Sequence, residues 1–227
     1  MSLEFVYFDI QALGLMPRLV LEANKIDYVD SRVDLIKWFT GESTPKKSET
    51  PLGQVPLLRV NGKEFCQSTA IVNYCAKLAK IDQIEPLEAL KVDMFVETAK
   101  EVFDKMRLAS YPALQTVKAE EDPTWQKRGA AFFEIFKKNA DEKFALMEKC
   151  LSVLGVENEF VAGKETLGDY YCVFWLMCAV DCGLDGELEK AAPTVVRIAK
   201  NVMSKNQAVE KFANNKETKF WPWSLTN

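Results

Sequence analysis

The sequence predicts an α/β domain followed by an all-helical domain in a chain of 227 residues. Short β-prone runs alternate with helical patterns over the first eighty residues, a linker-like stretch follows at 82–86, and no convincing strand pattern lies beyond it. The length suits one large domain or two small ones. We therefore expect domains over residues 1–81 and 86–227.

The first domain begins with Phe5–Phe8, a β-prone apolar run that ends at Asp9. Leu15–Asn24 places apolar residues at helical spacing, and a second strand is expected over 28–33. Polar residues, prolines and a glycine break the pattern over 36–52, which predicts a short helix and loops.

A hairpin and a helix complete this domain. A third strand is expected over Val55–Val60, Asn61-Gly62 is a strong hairpin-turn signal, and 64–66 is the returning strand. Ser68–Ala79 has one apolar face and is expected to be a helix. The order β-α-β-α-β-β-α is that of a thioredoxin-like domain.

Helical spacing dominates the second domain. Apolar residues over 92–106 form one face, and those over 133–154 keep helical spacing for six turns, so we expect one long helix there, ended by Gly155. Thr166-Leu167-Gly168-Asp169 has the pattern of a capping box. The helix that it begins is apolar nearly all round over 170–180 and should be buried. These patterns predict an all-helical bundle.

Composition excludes several kinds of catalysis. The chain has no histidine, so Ser-His-Asp and Cys-His catalysis and imidazole-bound metals are excluded. A general acid or base must be Tyr, Cys, Lys, Asp or Glu. The six cysteines form no CxxC pair, which excludes a zinc ribbon or a dithiol redox motif and predicts reduced core thiols in a cytosolic protein.

Charge and hydropathy argue against two kinds of partner. The net charge is −4 and no block of like charge occurs, so a phosphate-binding face for nucleic acid is not expected. The longest strongly apolar stretch, 170–180, is too short to span a bilayer, and no secretory leader pattern is found at the start. We expect neither a nucleic acid nor a membrane as partner, and no metal.

Four local segments, in their order and spacing, resemble the cytosolic glutathione transferases: Tyr7–Ile10, Gly53–Pro56, Gln67–Ile71 and Thr166–Asp169. The resemblance covers the whole chain and is to the tyrosine-dependent classes (sigma, mu, alpha and pi). It implies glutathione as co-substrate, a role in detoxification, a cytoplasmic location and a homodimer. The aromatic key residue of some dimer interfaces in the family would fall at Leu52.

The resemblance implies that Tyr7 is the catalytic residue. A free thiol has a pKa of about 8.5, and lowering it to roughly 6.5 requires about 2.7 kcal/mol of preferential stabilisation of the thiolate. One charge-assisted hydrogen bond contributes about 1.5–3 kcal/mol, and a phenol can donate it while staying neutral at pH 7. The alternative is that Tyr7 is only a half-buried strand residue beside Phe5.

The resemblance also implies the glutathione-binding residues. Pro56 would be cis, so that the backbone of Val55 pairs with the tripeptide as an added strand would. Gln67 and Ser68 would bind the γ-glutamyl carboxylate at a helix N-terminus, or Ser68 would be an ordinary N-cap. Gln54 would be a polar neighbour of the same ligand.

The remaining candidates follow from looser matches. Trp38 and Lys47 would contact the glycine end, with Lys46 as a rival for the ammonium. Asp93 would reach across a dimer to the free amine of the peptide, or would simply face solvent. Leu13 stands where sigma-like members often have arginine and mu-like ones leucine, and Gln11-Ala12 replaces the family's Arg-Gly pair. The second-substrate pocket would be lined by Phe8, Met106, Arg107, Ser110 and Tyr111.

The leading hypothesis is a glutathione transferase that adds the activated thiol to an electrophilic small molecule, or that carries out a sigma-type prostaglandin isomerisation. The alternative is a non-catalytic relative of transferase fold, such as a crystallin-like or scaffold protein. A thiol-disulfide oxidoreductase is disfavoured, because no cysteine lies near the end of the first strand.

Overall fold

The computed structural model describes residues 1–115, 126–157, 159–215 and 219–221. The chain forms two compact units. The first contains Met1–Gln83 and the described residues from Met203 to Trp221, and the second contains Ile84–Val202. A division of the sequence at 82–86 therefore does not capture the units, because the C-terminal residues group with the first: Asn206 Nδ2 donates to Ala23 O (3.4 Å).

The first unit has the predicted thioredoxin-like order. Its elements are β1 (Leu3–Phe8), α1 (Leu15–Ala23), β2 (Val29–Val33), α2 (Leu35–Thr40), β3 (Leu57–Val60), β4 (Lys63–Cys66), α3 (Ser68–Ala79) and the C-terminal α10 (Gln207–Ala213). The sheet has the order β2-β1-β3-β4, with β1 and β2 parallel and the other pairs antiparallel. The third strand is shorter than expected, because Pro56 has no N–H to donate to a ladder.

The two faces of β1 contact different helices. Phe5 and Tyr7 lie on one face, where Arg18 of α1 packs on both rings. Val6 lies on the other face, in a cluster with Trp38 of α2. Between β3 and β4, Asn61 and Gly62 both have positive φ (48° and 79°), as a two-residue hairpin turn of type I′ requires.

The second unit is helical in its described part. Its elements are α4 (Pro86–Ser110), α5 (Gln126–Lys137), α6 (Ala140–Val153), α7 (Leu167–Cys182), α8 (Asp185–Ala191) and α9 (Pro193–Lys205), the last of which continues into the first unit. No strand follows β4 in the described residues. The expectation of one long helix over 133–154 was wrong. Asn139 adopts a left-handed conformation (φ 56°), which asparagine tolerates, and it separates α5 from α6.

The capping box at the start of α7 is confirmed. The Asp169 carboxylate accepts hydrogen bonds from the Thr166 amide (2.7 Å), the Thr166 hydroxyl (2.7 Å) and the Val161 amide (2.8 Å). Most of α7 is buried, as its apolar composition predicts. In the described part of the chain, no helix is long and apolar enough to cross a membrane, and no group of three or more metal-ligating side chains occurs.

Candidate active site

Tyr7 is a buried residue near the end of β1. Its ring centroid is 5.0 Å from that of Phe8 and 6.3 Å from that of Phe5. It also lies directly against Gly14: a Cβ added to Gly14 would be 2.4 Å from Tyr7 Cδ1, which is closer than atoms can approach. The absence of a side chain at Gly14 therefore makes room for the Tyr7 ring.

Arg18 supports this region from within. The side chain is fully buried, and its guanidinium donates to Ile10 O (2.6 Å), Phe8 O (3.1 Å) and Asp30 Oδ1 (3.0 Å). The guanidinium carbon is 5.8 Å from the centroid of the Tyr7 ring. Burial lowers the pKa of Arg18, and the Asp30 carboxylate opposes that shift. Arg18 thus binds the backbone on both sides of Asp9 and packs beneath Tyr7.

Sequence reasoning missed Arg18. The available signal was an arginine within the otherwise apolar stretch Leu15–Leu21, where a charge must find buried partners.

The Val55-Pro56 peptide bond is cis, as the family resemblance implies. Val55 is half-buried and packs against the cluster that contains Val6, Trp38 and Leu57. Between described residues, no backbone hydrogen bond uses the Val55 amide or carbonyl. Both groups can therefore pair with an extended peptide. Gln54 directly precedes this segment and is half-exposed.

Gln67 and Ser68 stand at the start of α3. Gln67 is exposed and has a positive φ of 77° with ψ 109°, an unusual conformation for a residue other than glycine. Ser68 is the first helical residue and is half-buried. The first amides of a helix have no intrahelical acceptor, and they carry a partial positive charge that suits a carboxylate.

The strand register brings these segments to one edge of the sheet. Val6 of β1 pairs with Leu57, so Tyr7 and Phe8 lie beside the residues that precede β3. Leu57 in turn pairs with Cys66, the residue before Gln67. The end of β1, Val55-Pro56 and the start of α3 are therefore neighbours.

Trp38 and Lys47 form part of an aromatic cluster on the α2 side of the sheet. Trp38 is buried, and its ring centroid is 5.9 Å from that of Phe8. The Lys47 ammonium is 4.8 Å from the centroid of the Phe39 ring and 5.9 Å from that of Trp38. Of the two adjacent lysines that the sequence offered, Lys47 is the one placed over the aromatic rings.

Comparison with known proteins shows which family the chain is similar to. Residues 3–77 match the glutathione S-transferase N-terminal domain. The chain is 28% identical to glutathione S-transferase 1 of Ascaris suum over 161 residues, which covers 71% of each protein. It is 24% identical to a probable glutathione S-transferase of Caenorhabditis elegans, over 94% of this chain and 96% of the relative. Residues 3–77 thus match the N-terminal domain of glutathione S-transferases, and the chain as a whole is similar to members of that family.

Solved structures show the same fold over nearly the whole chain. The sigma class glutathione S-transferase of Fasciola hepatica has a TM-score of 0.72 at 21% identity, covering 97% of this chain and 98% of that one. Prostaglandin synthase D of Nilaparvata lugens has a TM-score of 0.62 at 24% identity, covering 95% and 98%.

The turn after β1 is where the chain departs from the glutathione transferase pattern that its sequence resembles. Leu13 is half-exposed within a short 3-10 turn, Ala12–Gly14, and Ala12 has a positive φ of 33°. The turn is tied to the C-terminal segment, because Gln11 N donates to Lys219 O (2.8 Å) and Ala12 N to Phe220 O (3.1 Å). No sequence signal predicted this pairing.

The candidates in the second unit all lie on α4 or just after it. Asp93 is exposed. Met106 and Ser110 are fully buried, and the Ser110 hydroxyl donates to Met106 O (2.7 Å). Arg107 donates to the Tyr111 hydroxyl (2.6 Å) and to Asp104 (2.6 Å). Their roles with either substrate remain predictions.

Proposed function

We propose that this chain is a glutathione transferase whose Tyr7 hydroxyl donates a hydrogen bond to the glutathione sulfur. The observation that supports this most is the strand register, which brings the end of β1, Val55-Pro56 and the start of α3 to one edge of the sheet. A phenolic donor, an unpaired backbone segment and a helix N-terminus are together suited to a thiol peptide.

Each part of the tripeptide has a proposed partner in the first unit. The backbone of Val55 pairs with the cysteine residue of glutathione. The first amides of α3 and the Ser68 hydroxyl bind the γ-glutamyl carboxylate, with Gln54 and Gln67 as polar neighbours. Trp38 and Lys47 contact the glycine end, and Leu13 borders the bound thiol.

The reaction needs the thiol in its anionic form. Tyr7 stabilises the thiolate by about 1.5–3 kcal/mol, which is enough to lower a thiol pKa by roughly one to two units. The thiol proton leaves to solvent, the sulfur lone pair forms a bond to the electrophilic carbon, and the leaving group departs with its bonding electrons.

The test combines binding with turnover. The protein is expected to be retained on immobilised glutathione and to conjugate glutathione with an activated aryl halide. Tyr7→Phe removes one hydroxyl and should raise the pKa of the bound thiol, which ultraviolet titration of the thiolate measures in the complex. The proposed role of Tyr7 is wrong if the variant and the parent carry the same thiolate fraction at every pH.

The same experiment distinguishes the alternative functions. Retention on glutathione without turnover of any electrophile would favour the non-catalytic relative, to which the altered turn at Ala12 and Leu13 lends some support. Conversion of a prostaglandin endoperoxide by the parent and not by Tyr7→Phe would favour isomerisation by the same thiolate.

We further propose a homodimer. In the second unit, Leu87, Leu90 and Met94 lie at helical spacing on α4 and are 65%, 64% and 45% exposed, and Asp93 is exposed beside them. Light scattering is expected to give twice the chain mass. Asp93→Ala should weaken glutathione affinity without dissociating the dimer, and unchanged affinity would remove Asp93 from the site.

The proposed cellular role is detoxification in the cytoplasm. All six cysteines are unpaired, and five of them are buried, as expected for a protein of a reducing compartment. Fractionation of the source cells, followed by detection of the protein, tests the location.

A further inference from the structure

One exposed aromatic side chain in the first unit has no role in the core. Phe39 of α2 is 57% exposed, although its neighbour Trp38 is buried. The Phe39 ring is roughly parallel to that of Phe8, at 28° and a centroid distance of 6.4 Å, and the Phe8 ring meets Trp38 edge-on. The three rings thus form one continuous aromatic surface.

The Lys47 ammonium lies over this surface. Its distance to the Phe39 ring centroid, 4.8 Å, is within the range of a cation–π contact, and the Trp38 ring is just inside the limit at 5.9 Å. Among the described residues, Lys47 makes no ion pair with a carboxylate. Its position is therefore set by aromatic rings, which leave its charge available to an anion.

The cluster lies beside the proposed glutathione site. Trp38 packs with Val6, Val33 and Leu57, and Val55 packs against the same group. An extended peptide paired with the Val55 backbone would therefore run past these rings. A flexible, solvated lysine loses side-chain entropy when it binds a carboxylate, and a ring that holds the ammonium in advance reduces that loss.

We propose that Phe39 is a positioning residue that holds the Lys47 ammonium for the glycine carboxylate of glutathione, and so makes the site select glutathione over γ-glutamylcysteine. This inference rests on the proposed function. It assigns Phe39 to the peptide end of the site and not to the electrophile.

The test measures dissociation constants for two peptides. Phe39→Leu keeps an apolar side chain but removes the ring face, and it should weaken glutathione binding about threefold to fivefold. The affinity for γ-glutamylcysteine, which has no glycine, should stay unchanged. Phe39→Tyr retains the ring and should keep the parent affinity for both peptides. In a Lys47→Gln background, Phe39→Leu should have no further effect.

Two controls belong to the same experiment. Ile36→Ala removes another exposed apolar side chain of α2, and Lys46→Gln removes the adjacent lysine charge; both should leave the two affinities unchanged. Equal weakening for both peptides, or no change in either, would overturn the role of Phe39. If the parent binds neither peptide, the proposed function itself fails.

Discussion

The two units each bury a charged side chain completely, but they satisfy it in different ways. Arg18 in the first unit binds two backbone carbonyls and Asp30, which lies twelve residues away in the sequence. Asp169 in the second unit binds the amide and hydroxyl of Thr166, three residues away, and the amide of Val161, eight residues away. The first arrangement shapes the turn beside Tyr7, whereas the second caps a core helix. A buried charge can therefore shape a functional site or cap a helix, depending on the groups that it binds.

The largest expected effect is the loss of stability when Arg18 is replaced. Arg18→Met removes the buried charge and takes the Arg18 hydrogen bond from each of Phe8 O, Ile10 O and Asp30, so the free energy of unfolding should fall by about 3–5 kcal/mol. Urea denaturation measures this change. Arg32→Met is the matched control, because Arg32 also binds Asp30 but is partly exposed, and it should lose less than about 1 kcal/mol. Equal losses in the two variants would contradict the importance of burial.

The stability of the folded protein is expected to depend on the protonation of Asp169. Burial raises the pKa of its carboxyl to about 6, although three hydrogen bonds oppose the shift. An unfolded aspartate has a pKa of about 3.9. The folded protein therefore binds this proton more tightly between about pH 4 and pH 6, and the stabilisation that results is lost as the pH rises through this window.

Asp169→Asn cannot titrate and tests that direction. The free energy of unfolding lost in the variant should be larger at pH 4 than at pH 7, by up to about 3 kcal/mol. Denaturation at both pH values measures the difference. The exposed Asp185→Asn is the control, with an expected change of less than about 0.5 kcal/mol. A loss that is greater at pH 7 would mean that the hydrogen bonds outweigh burial and that folding lowers the pKa of this carboxyl.

A glycine beside Arg18 sharpens the comparison further. Gly14→Ala would place a Cβ 2.4 Å from Tyr7 Cδ1 and 2.9 Å from Arg18 Nη1, so the Tyr7 ring must move. We expect conjugation to slow about 10- to 100-fold, because misplacement of a catalytic group by about 1 Å has effects of this order. Gly186→Ala in the second unit has open space around the added Cβ and should conjugate at the parent rate. Parent-like turnover by Gly14→Ala would show that the ring does not need its present position.

The sequence predicted the features that depend on short-range patterns. The capping box, the Asn61-Gly62 hairpin and the bounds of α3 could be read from neighbouring residues. Arg18 and Phe39 could not, because their partners are brought near by the sheet and by a loop. The break at Asn139 was missed for a different reason. Phe136 and Ala140 lie on either side of the two-residue turn and are four positions apart in the sequence, so the helical spacing of apolar residues continues across it.

The smallest expected effect concerns backbone strain. Ala12 has a φ of 33°, which is unfavourable for a residue with a Cβ, and its amide is held by Phe220 O. Ala12→Gly relieves this strain but also gives the unfolded chain more freedom, so stability should rise by no more than about 1 kcal/mol, or roughly 2–4 °C in Tm. Asn139→Gly is the counterpart in the second unit and should gain less, because asparagine already tolerates its left-handed conformation. If Ala12→Gly lowers Tm instead, the restricted backbone of alanine is needed to keep the two hydrogen bonds between the turn and the C-terminal segment. The turn beside Tyr7 would then be held by its own sequence as well as by that segment.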